Sequence, residues 1–140
     1  MANYEPLDAS RICSGTFGRV FKDGKWMNNV NECTMDAEID MKEVNLVGAE
    51  WQDHKAGIKK GTGTIKGYKV TSDMIKNGFK KMEIMTELDD PEAYGAERIR
   101  FKNVKATKIN FANFKAGDLC EEETPVVWSG YELIDPIEEE

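Results

Sequence analysis

The sequence predicts a mainly β fold: an antiparallel β-sandwich or barrel of about six or seven strands with one short flanking α-helix. Segments in which apolar and polar residues alternate recur along the chain, separated by glycine-containing turns, as expected for strands with one buried face. A single stretch has helical spacing, and helices do not alternate with strands, which favours antiparallel pairing. The 140 residues, 40% of them hydrophobic, are enough for one domain, residues 1–140, with its own core.

The N-terminal part is predicted to form an arm followed by a hairpin. Residues 1–14 show no periodicity, which indicates an arm. A strand is expected over residues 17–22, and the Asp-Gly pair at 23–24 predicts a tight turn after it. The chain then returns over residues 25–27 to complete the hairpin.

The segment from Cys33 to Lys42 alternates most regularly. The apolar face of this predicted strand comprises Cys33, Met35, Ala37, Ile39 and Met41. The other face is mostly acidic and comprises Thr34, Asp36, Glu38, Asp40 and Lys42. A period of two with this contrast predicts one face buried against the core and one face in water.

Residues 47–60 interrupt the periodicity and are predicted to form a loop that is long for a compact domain. Loops of that length usually serve an interaction or another function. Trp51 lies within it and is expected to anchor a contact with another subunit, because tryptophan is common at interface hot spots.

The second half of the chain is predicted to contain the helix and the remaining strands. A strand over residues 62–71 leads to Ser72, an N-cap residue, and Gly78 limits the helix that follows to about two turns. The apolar stripe of this helix comprises Met74, Ile75 and Phe79. Strands are then expected in KKMEIMTEL, in ERIRFKNVKATKINFANF, which holds two, and in TPVVWSGYELID. Residues 136–140 form an acidic, solvated tail.

No residue pattern predicts catalysis, a cofactor site or a metal site. The one histidine, His54, lies in the predicted loop, where a catalytic triad would lack an oriented partner. The three cysteines lack the spacing of a zinc site and are expected to be free thiols in a reducing cytosol. The glycines of GTGTIKG do not match a phosphate-binding loop and are expected where backbones pass close to neighbours. We therefore expect a protein without enzymatic activity.

The charge distribution disfavours a nucleic-acid binder. The net charge is −7, whereas phosphate binding requires a basic surface. No stretch is long and apolar enough to span a membrane, and no membrane binding is expected. Residues 55–81 contain eight lysines and one acid. This segment is either a solvated face or a basic surface that meets an acidic surface on the next copy.

The segment DDPEAYGAERIRF, residues 89–101, carries the resemblance of this sequence to a known family. Its Asp-Pro-acid-Ala-Tyr-Gly-Ala-Glu-Arg run resembles the tail tube, or core tail, proteins of contractile-tailed phages, in particular the XkdM-like family of PBSX-type prophages. The segments GTFGRVFKDGKWM, KGTGTIKGYKVTSDMI and EEETPVVWSGYELID resemble further parts of that family in the same order. The resemblance extends over residues 15–135.

The resemblance implies a structural virion protein with a β-sandwich or barrel and a flanking helix. Members form six-fold rings that stack into a hollow tube inside a contractile sheath. The implied partners are other copies of the chain in hexameric rings, the tail sheath protein, and the tape-measure and baseplate proteins, with DNA only in passage. The implied location is a phage virion or a tail-like bacteriocin particle, after synthesis in the bacterial host cytoplasm. A small acidic β-domain that acts as a binding or adaptor protein is the alternative.

Within this picture three acids and one loop receive expected roles. We expect Asp36, Glu38 and Asp40 to face the lumen of the tube, because carboxylates repel the phosphates of passing DNA. Trp51 and its loop are expected to reach a neighbouring subunit or the next ring.

The turn around Tyr94 has two interpretations. Pro91 fixes a bend, and Gly95 is expected to adopt a positive φ. Tyr94 then either makes a rigid contact with another subunit or only covers the core of its own domain.

Overall fold

The computed structural model describes residues 4–139. In chain order its elements are the strands β1 (Gly18–Lys22), β2 (Lys25–Trp26), β3 (Val30–Val44) and β4 (Asp53–Tyr68), the helix α1 (Asp73–Asn77), and the strands β5 (Met82–Leu88), β6 (Glu97–Ala106), β7 (Glu121–Trp128) and β8 (Tyr131–Asp135). Two 3-10 turns, Ala9–Arg11 and Gly15–Phe17, precede β1. Residues 1–3 of the predicted arm and Glu140 of the predicted tail lie outside the described residues.

All strand pairs are antiparallel. The strands form one sheet in the order β2-β1-β5-β6-β7-β4-β3, with β8 also paired to β6. Strand β6 joins the two halves of this sheet: it pairs with β5 between Glu97 and Val104 and with β8 over residues 98–101, whereas Lys105 and Ala106 pair with β7. Asn103, just before this change of partner, has a φ of 55°. The sheet folds over at this strand, and both halves cover one core.

The core contains side chains from both halves of the sheet and from the helix. Ile84 and Val104 are fully buried, and Val126 is 2% exposed. Each such side chain contributes about 1.5–3 kcal/mol relative to an exposed one. Phe101 and Trp128 pack edge to face, with their ring centroids 4.9 Å apart. These contacts hold the two halves of the sheet together.

The predicted fold class is confirmed: the chain is mainly β and antiparallel, with one short helix. The helix begins after Ser72 and ends at Gly78, as expected. Its stripe differs from the prediction, because Met74 is buried but Phe79 is exposed, and the Ser72 side chain makes no capping hydrogen bond. The last predicted strand is two strands, β7 and β8, separated by a turn at Gly130 with a φ of 124°.

The predicted long loop at residues 47–60 is wrong in its second half. Strand β4 begins at Asp53, so only residues 45–52 connect β3 to β4. A bulge explains why the sequence pattern fails there: β4 has one extra residue between its pairs with Ile39 and Met41. An inserted residue shifts the alternation and hides a strand from a period-two search.

The buried face predicted for residues 33–42 ends after Met35. Cys33 and Met35 pack against the core, whereas Ile39 and Met41 are exposed. Residues 53–60 of β4 pair with β3 alone, since β7 pairs only with residues 61–68. The distal half of the β3–β4 hairpin therefore projects beyond the folded body, and alternation there does not produce burial.

A second strand predicted between β6 and β7 does not form. Residues 107–120 are irregular, because β7 already occupies the sheet position next to the end of β6. Ile109 packs against the core, but Phe111 and Phe114 are 66% and 79% exposed. Apolar side chains that would line a strand are instead displayed on a loop.

Candidate assembly surfaces

The distal half of the β3–β4 hairpin carries an unusual amount of exposed apolar surface. Trp51 is 86% exposed in the connection, and Ile58 is 83% exposed on β4. Further exposed apolar side chains on this part of the hairpin are Ile39, Met41, Leu46 and Val47. A concentration of exposed apolar side chains of this kind indicates a contact site.

The outer edge of β3 is also open. Within residues 4–139, β3 forms its ladder with β4 on one side only, over a strand of 15 residues. A long edge with unpaired N–H and C=O groups is a template for pairing with another chain. The hairpin thus offers both apolar side chains and backbone hydrogen-bonding groups to a partner.

The three candidate lumen residues share one exposed face of β3. Asp36, Glu38 and Asp40 alternate along the strand, and all three are exposed. The face is not purely acidic, however, because Glu38 lies directly opposite Lys60 of β4. Lys42 Nζ lies 2.7 Å from Asp40 Oδ2. Lys42 and Lys60 therefore lie next to the acids, although Lys55 of β4 lies opposite Lys42 and not opposite a carboxylate.

The turn at residues 89–96 has a role that sequence reasoning missed. Asp90 is 6% exposed, and its two carboxylate oxygens accept hydrogen bonds from the N–H groups of Ser14 and Glu92, both at 2.9 Å. The Asp89 N–H also donates to the Phe17 carbonyl at 3.3 Å. The turn therefore holds the segment that precedes β1. The sequence signal for this role was the Asp-Pro-Glu run at residues 90–92, which favours an Asx turn. It could not identify Ser14 as the residue that Asp90 holds, because Ser14 lies 76 residues earlier in the chain.

Tyr94 lies on the outside of this turn. Its ring is stacked under Arg11, with the guanidinium carbon 4.9 Å from the ring centroid, and Arg11 Nη1 donates to the Glu92 carbonyl at 2.9 Å. The ring remains 46% exposed. The expected positive φ of Gly95 is wrong: the glycines with positive φ in the described chain are at other positions, such as Gly117. The turn is closed by the Asp90 hydrogen bonds instead.

The GTG segment of β4 is explained by close packing. A Cβ placed on Gly61 would lie 2.5 Å from the indole ring of Trp128, its neighbour in β7. The indole Nε1–H donates to the Thr62 carbonyl at 3.0 Å. The indole therefore lies directly over the glycine backbone, as expected for glycine where a neighbour approaches closely.

A chain of ion pairs ties the sheet to its C-terminal strand. Glu87 is 9% exposed and contacts Arg19 Nη1 at 2.9 Å and Arg98 Nε at 3.2 Å. Arg98 Nη1 donates to Asp135 at 2.6 Å, and the hydrogen bonds to Asp135 and Glu87 raise the pKa of Arg98. Arg98, which lies in the segment that carries the family resemblance, thus has a structural role, since it connects β5, β6 and β8.

The histidine and the cysteines examined as candidate catalytic or metal-binding residues do not form a common site. His54 is exposed on β4, opposite Glu43 of β3, and not in a loop as predicted. Burial raises the pKa of the Cys33 thiol to about 11, which disfavours the reactive thiolate. Among residues 4–139, no three His, Cys, Asp or Glu side chains are grouped so that they could hold a metal ion. In the same residues, no helix has the length and apolar character needed to cross a membrane.

Comparison with known proteins decides the family. The sequence profile of the phage tail tube proteins matches residues 5–135. The chain belongs to the phage tail tube protein family. Over 137 residues it is 30% identical to the phage-like element PBSX protein XkdM of Bacillus subtilis strain 168, covering 91% of this chain and 93% of that protein. The uncharacterized protein YqbM of the same strain matches with the same identity and coverage.

Solved structures of low sequence identity share the fold of this tail tube protein. The sheath/tube terminator of the extracellular contractile injection system PVC, in the extended state, superimposes with a TM-score of 0.66 at 16% identity, covering 96% of this chain and all of that one. A tail protein of an empty gene transfer agent particle, refined with C6 symmetry, gives a TM-score of 0.64 at 13% identity, covering 87% and 98%. The chain is therefore a structural tail tube protein by family, with the fold that such particles use.

Proposed function

We propose that this tail tube protein polymerises as stacked hexameric rings into the inner tube of a contractile phage tail or a phage-tail-like bacteriocin. The tube would be a conduit for DNA or ions. The observation that carries the proposal is the exposed apolar surface on the distal β3–β4 hairpin, which a solitary domain would leave in water. Contact with a second copy would remove this apolar surface from water and would stabilise the assembly by the hydrophobic free energy of burial.

Head-to-tail contacts between copies suit this chain better than a symmetric dimer. The hairpin projects from one part of the domain, and the β3 edge, the turn at 89–96 and the loop at 107–120 are distinct surfaces. Contacts between different patches generate rings when the rotation closes. A six-fold ring is supported by the C6 symmetry of the gene transfer agent tail that shares this fold.

The remaining partners and properties follow from the tube assignment. A sheath protein is supported by the PVC sheath-tube complex, whose chain shares this fold with a TM-score of 0.64. Tape-measure and baseplate proteins would contact the ends of the tube, and DNA would only pass through. The protein would act without enzymatic activity and would be made in the host cytoplasm before assembly into the particle.

Asp36, Glu38 and Asp40 would line the lumen together with the lysines of β4. Their shared exposed face is continuous with the folded half of the sheet, where Thr62 and Thr64 follow on β4. Lys60 lies opposite Glu38 and Lys42 contacts Asp40, so a wall of hydroxyls and interleaved charges would offer passing phosphates few isolated cations to bind.

Trp51 and Tyr94 would contact neighbouring subunits. Trp51 is highly exposed and lies at the end of a projecting hairpin. Both properties suit a side chain that anchors the contact by entering a pocket on a neighbouring subunit. Tyr94 has a ring that is already held by Arg11 and half exposed, so it would bind with little loss of side-chain entropy.

Electron microscopy of the purified full-length protein tests the proposed function. Negative-stain images at increasing protein concentration should show hollow rods of uniform width, alone or with the sheath protein. A particle that remains monomeric at every concentration, alone and with its tail partners, would contradict the tube and favour the small acidic adaptor domain.

A further inference from the structure

Two features of the fold are unused by the tube assignment. The first, which we term the Phe loop, is the irregular segment 107–120 with its exposed Phe111 and Phe114. The second, which we term the seam cleft, lies where β1, next to the terminal strand β2, faces β3 at the other end of the sheet without strand pairing. We infer that the Phe loop of one subunit inserts Phe111 and Phe114 into the seam cleft of an adjacent subunit. This inference rests on the proposed function, because it assigns the surfaces through which copies meet.

The Phe loop is ordered even though its aromatic side chains face solvent. The Thr107 N–H donates to the Pro125 carbonyl at 2.9 Å at its start, and the Lys69 N–H donates to the Cys120 carbonyl at 2.9 Å at its end. Between them, Lys69 Nζ donates to the Phe111 carbonyl at 3.3 Å and Asn113 Nδ2 donates to the Glu121 carbonyl at 3.1 Å. A loop held at both ends and in the middle presents its side chains with less ordering cost on binding.

The seam cleft is an apolar receptor of suitable size. Its volume is about 670 Å³, within the range of clefts that hold drug-sized molecules. Its apolar lining comprises Val20, Val30, Cys33, Met35, Leu88 and Ile99. Phenyl rings that leave water for this lining gain the transfer free energy that both surfaces forgo in the monomer.

Charge favours the Phe loop as the occupant of the seam cleft. Three carboxylates line the cleft, those of Glu32, Glu87 and Glu97. Glu87 is paired with Arg19 and Arg98, and Glu32 lies 3.9 Å from Lys66, whereas Glu97 has no ion pair among the described residues and is the acid left to meet a partner's cation. On the Phe loop, Lys108 and Lys115 flank the two phenylalanines, and both lysines are exposed. Opposite charges around an apolar centre set the register of an interface and disfavour other partners.

The occupant comes from a second copy. In its own chain the Phe loop leaves both rings in water, at 66% and 79% exposure, while the seam cleft remains open. The loop follows the end of β6, whereas the cleft is lined by β1, β3, β5 and the start of β6, so each subunit carries one loop and one cleft. Such a heterologous contact repeats from copy to copy and closes a ring when the rotation allows.

Photo-cross-linking in assembled particles tests the inference directly. The full chain carrying p-benzoylphenylalanine at position 114 is mixed as equal amounts of 14N and 15N protein, assembled into rods, irradiated and mapped by mass spectrometry. We expect mixed-isotope cross-links from position 114 to peptides containing Val20, Met35 or Ile99. The matched control places the same probe at Phe79, which is 60% exposed on another part of the surface and should not label these peptides.

Cross-links from position 114 that map outside the seam cleft, or only within one chain, would overturn the inference while leaving the tube intact. If the wild-type chain forms no rods at all, the proposed function fails first. The two failures are therefore distinguishable in one experiment.

A charge exchange provides a second readout that does not depend on the aromatic probe. Lys115→Glu should raise the protein concentration needed for rod formation by roughly tenfold, because it places a carboxylate against Glu97 at the cleft rim. The double variant Lys115→Glu with Glu97→Lys should restore assembly. Equal assembly of the wild type and Lys115→Glu, or absence of rescue by Glu97→Lys, would count against the pairing.

Discussion

Single residues in this protein are constrained mainly by what packs against them from distant parts of the chain. Gly61 is an example, since the indole of Trp128 occupies the space that a side chain would take. Asp90 is another, because it is buried and holds the backbone of Ser14. Both positions give predictions that concern stability rather than assembly.

Gly61→Ala should lower the free energy of unfolding by about 1–3 kcal/mol, because the new methyl group overlaps the Trp128 ring and its strand. Urea denaturation of the monomer followed by tryptophan fluorescence would measure the change. Gly95→Ala is the matched control, since a Cβ there meets nothing within 4 Å. Equal stability of the two variants would show that the sheet relaxes around position 61.

Asp90→Asn should destabilise the fold by about 1–3 kcal/mol and free the segment before β1, because an amide has one acceptor oxygen and can keep only one of the two hydrogen bonds that the carboxylate now accepts from the Ser14 and Glu92 N–H groups. Hydrogen exchange at residues 11–17 would report this release. The control is Asp89→Asn, which makes the same charge change at an exposed neighbour. Unchanged exchange in Asp90→Asn would argue that Arg11 and Tyr94 suffice to hold the segment.

Among the elements, the β3–β4 hairpin has one half that contributes to folding and another half that we assign to assembly. Its proximal half contributes Ile65 to the core and carries the contacts with β7, whereas its distal half pairs only with itself. Its connection is residues 45–52, and these residues include Trp51. The hairpin can therefore be shortened without removing a core side chain.

Replacing residues 45–52 by an Asn-Gly turn should leave the monomer folded and abolish rod formation. We expect the midpoint of thermal unfolding to shift by no more than about 4 °C, because exposed surface changes usually alter stability by less than about 0.5 kcal/mol. Circular dichroism and negative-stain microscopy measure the two effects. Trp51→Ala in the intact hairpin is the smaller companion change and should weaken assembly. Rods of normal length from the shortened protein would exclude the tip as a contact.

For the whole molecule, the relevant quantity is the charge that a ring presents to its lumen. The net charge of −7 suggests an acidic bore, but the register of β3 and β4 places Lys60 opposite Glu38, and Lys42 lies 2.7 Å from Asp40 on β3 itself. The lumen proposed for this tube would therefore be polar with interleaved charges, and less negative than the acidic stripe alone would make it.

A cysteine at position 38 tests whether this face lines the bore. In a chain whose native cysteines are replaced by alanine, Glu38→Cys is labelled with biotin-maleimide and assembled into rods. Streptavidin should bind the unassembled protein freely but bind the rods only at their ends, because it is too large to enter the bore. Streptavidin along the length of the rods would show that Asp36, Glu38 and Asp40 face outward.

The sequence by itself determined the features that depend on neighbours in the chain. Alternation along β1, β5 and the first half of β3, the Asp-Gly turn before β2 and the short helix ended by Gly78 all follow from local periodicity and turn chemistry. The family was also accessible from sequence, because the segment at 89–101 is distinctive. The roles of Trp51, Tyr94 and the three acids remain predictions.

The tertiary structure decided what depends on residues that are distant in sequence. Residues 53–60 became strand because β3 supplies a partner across a bulge, whereas residues 107–120 did not, because β7 already holds the adjacent position in the sheet. Asp90 acquired its role from Ser14, 76 residues earlier. Strand pairing and burial are properties of two segments at once, so the pattern within one segment cannot fix them.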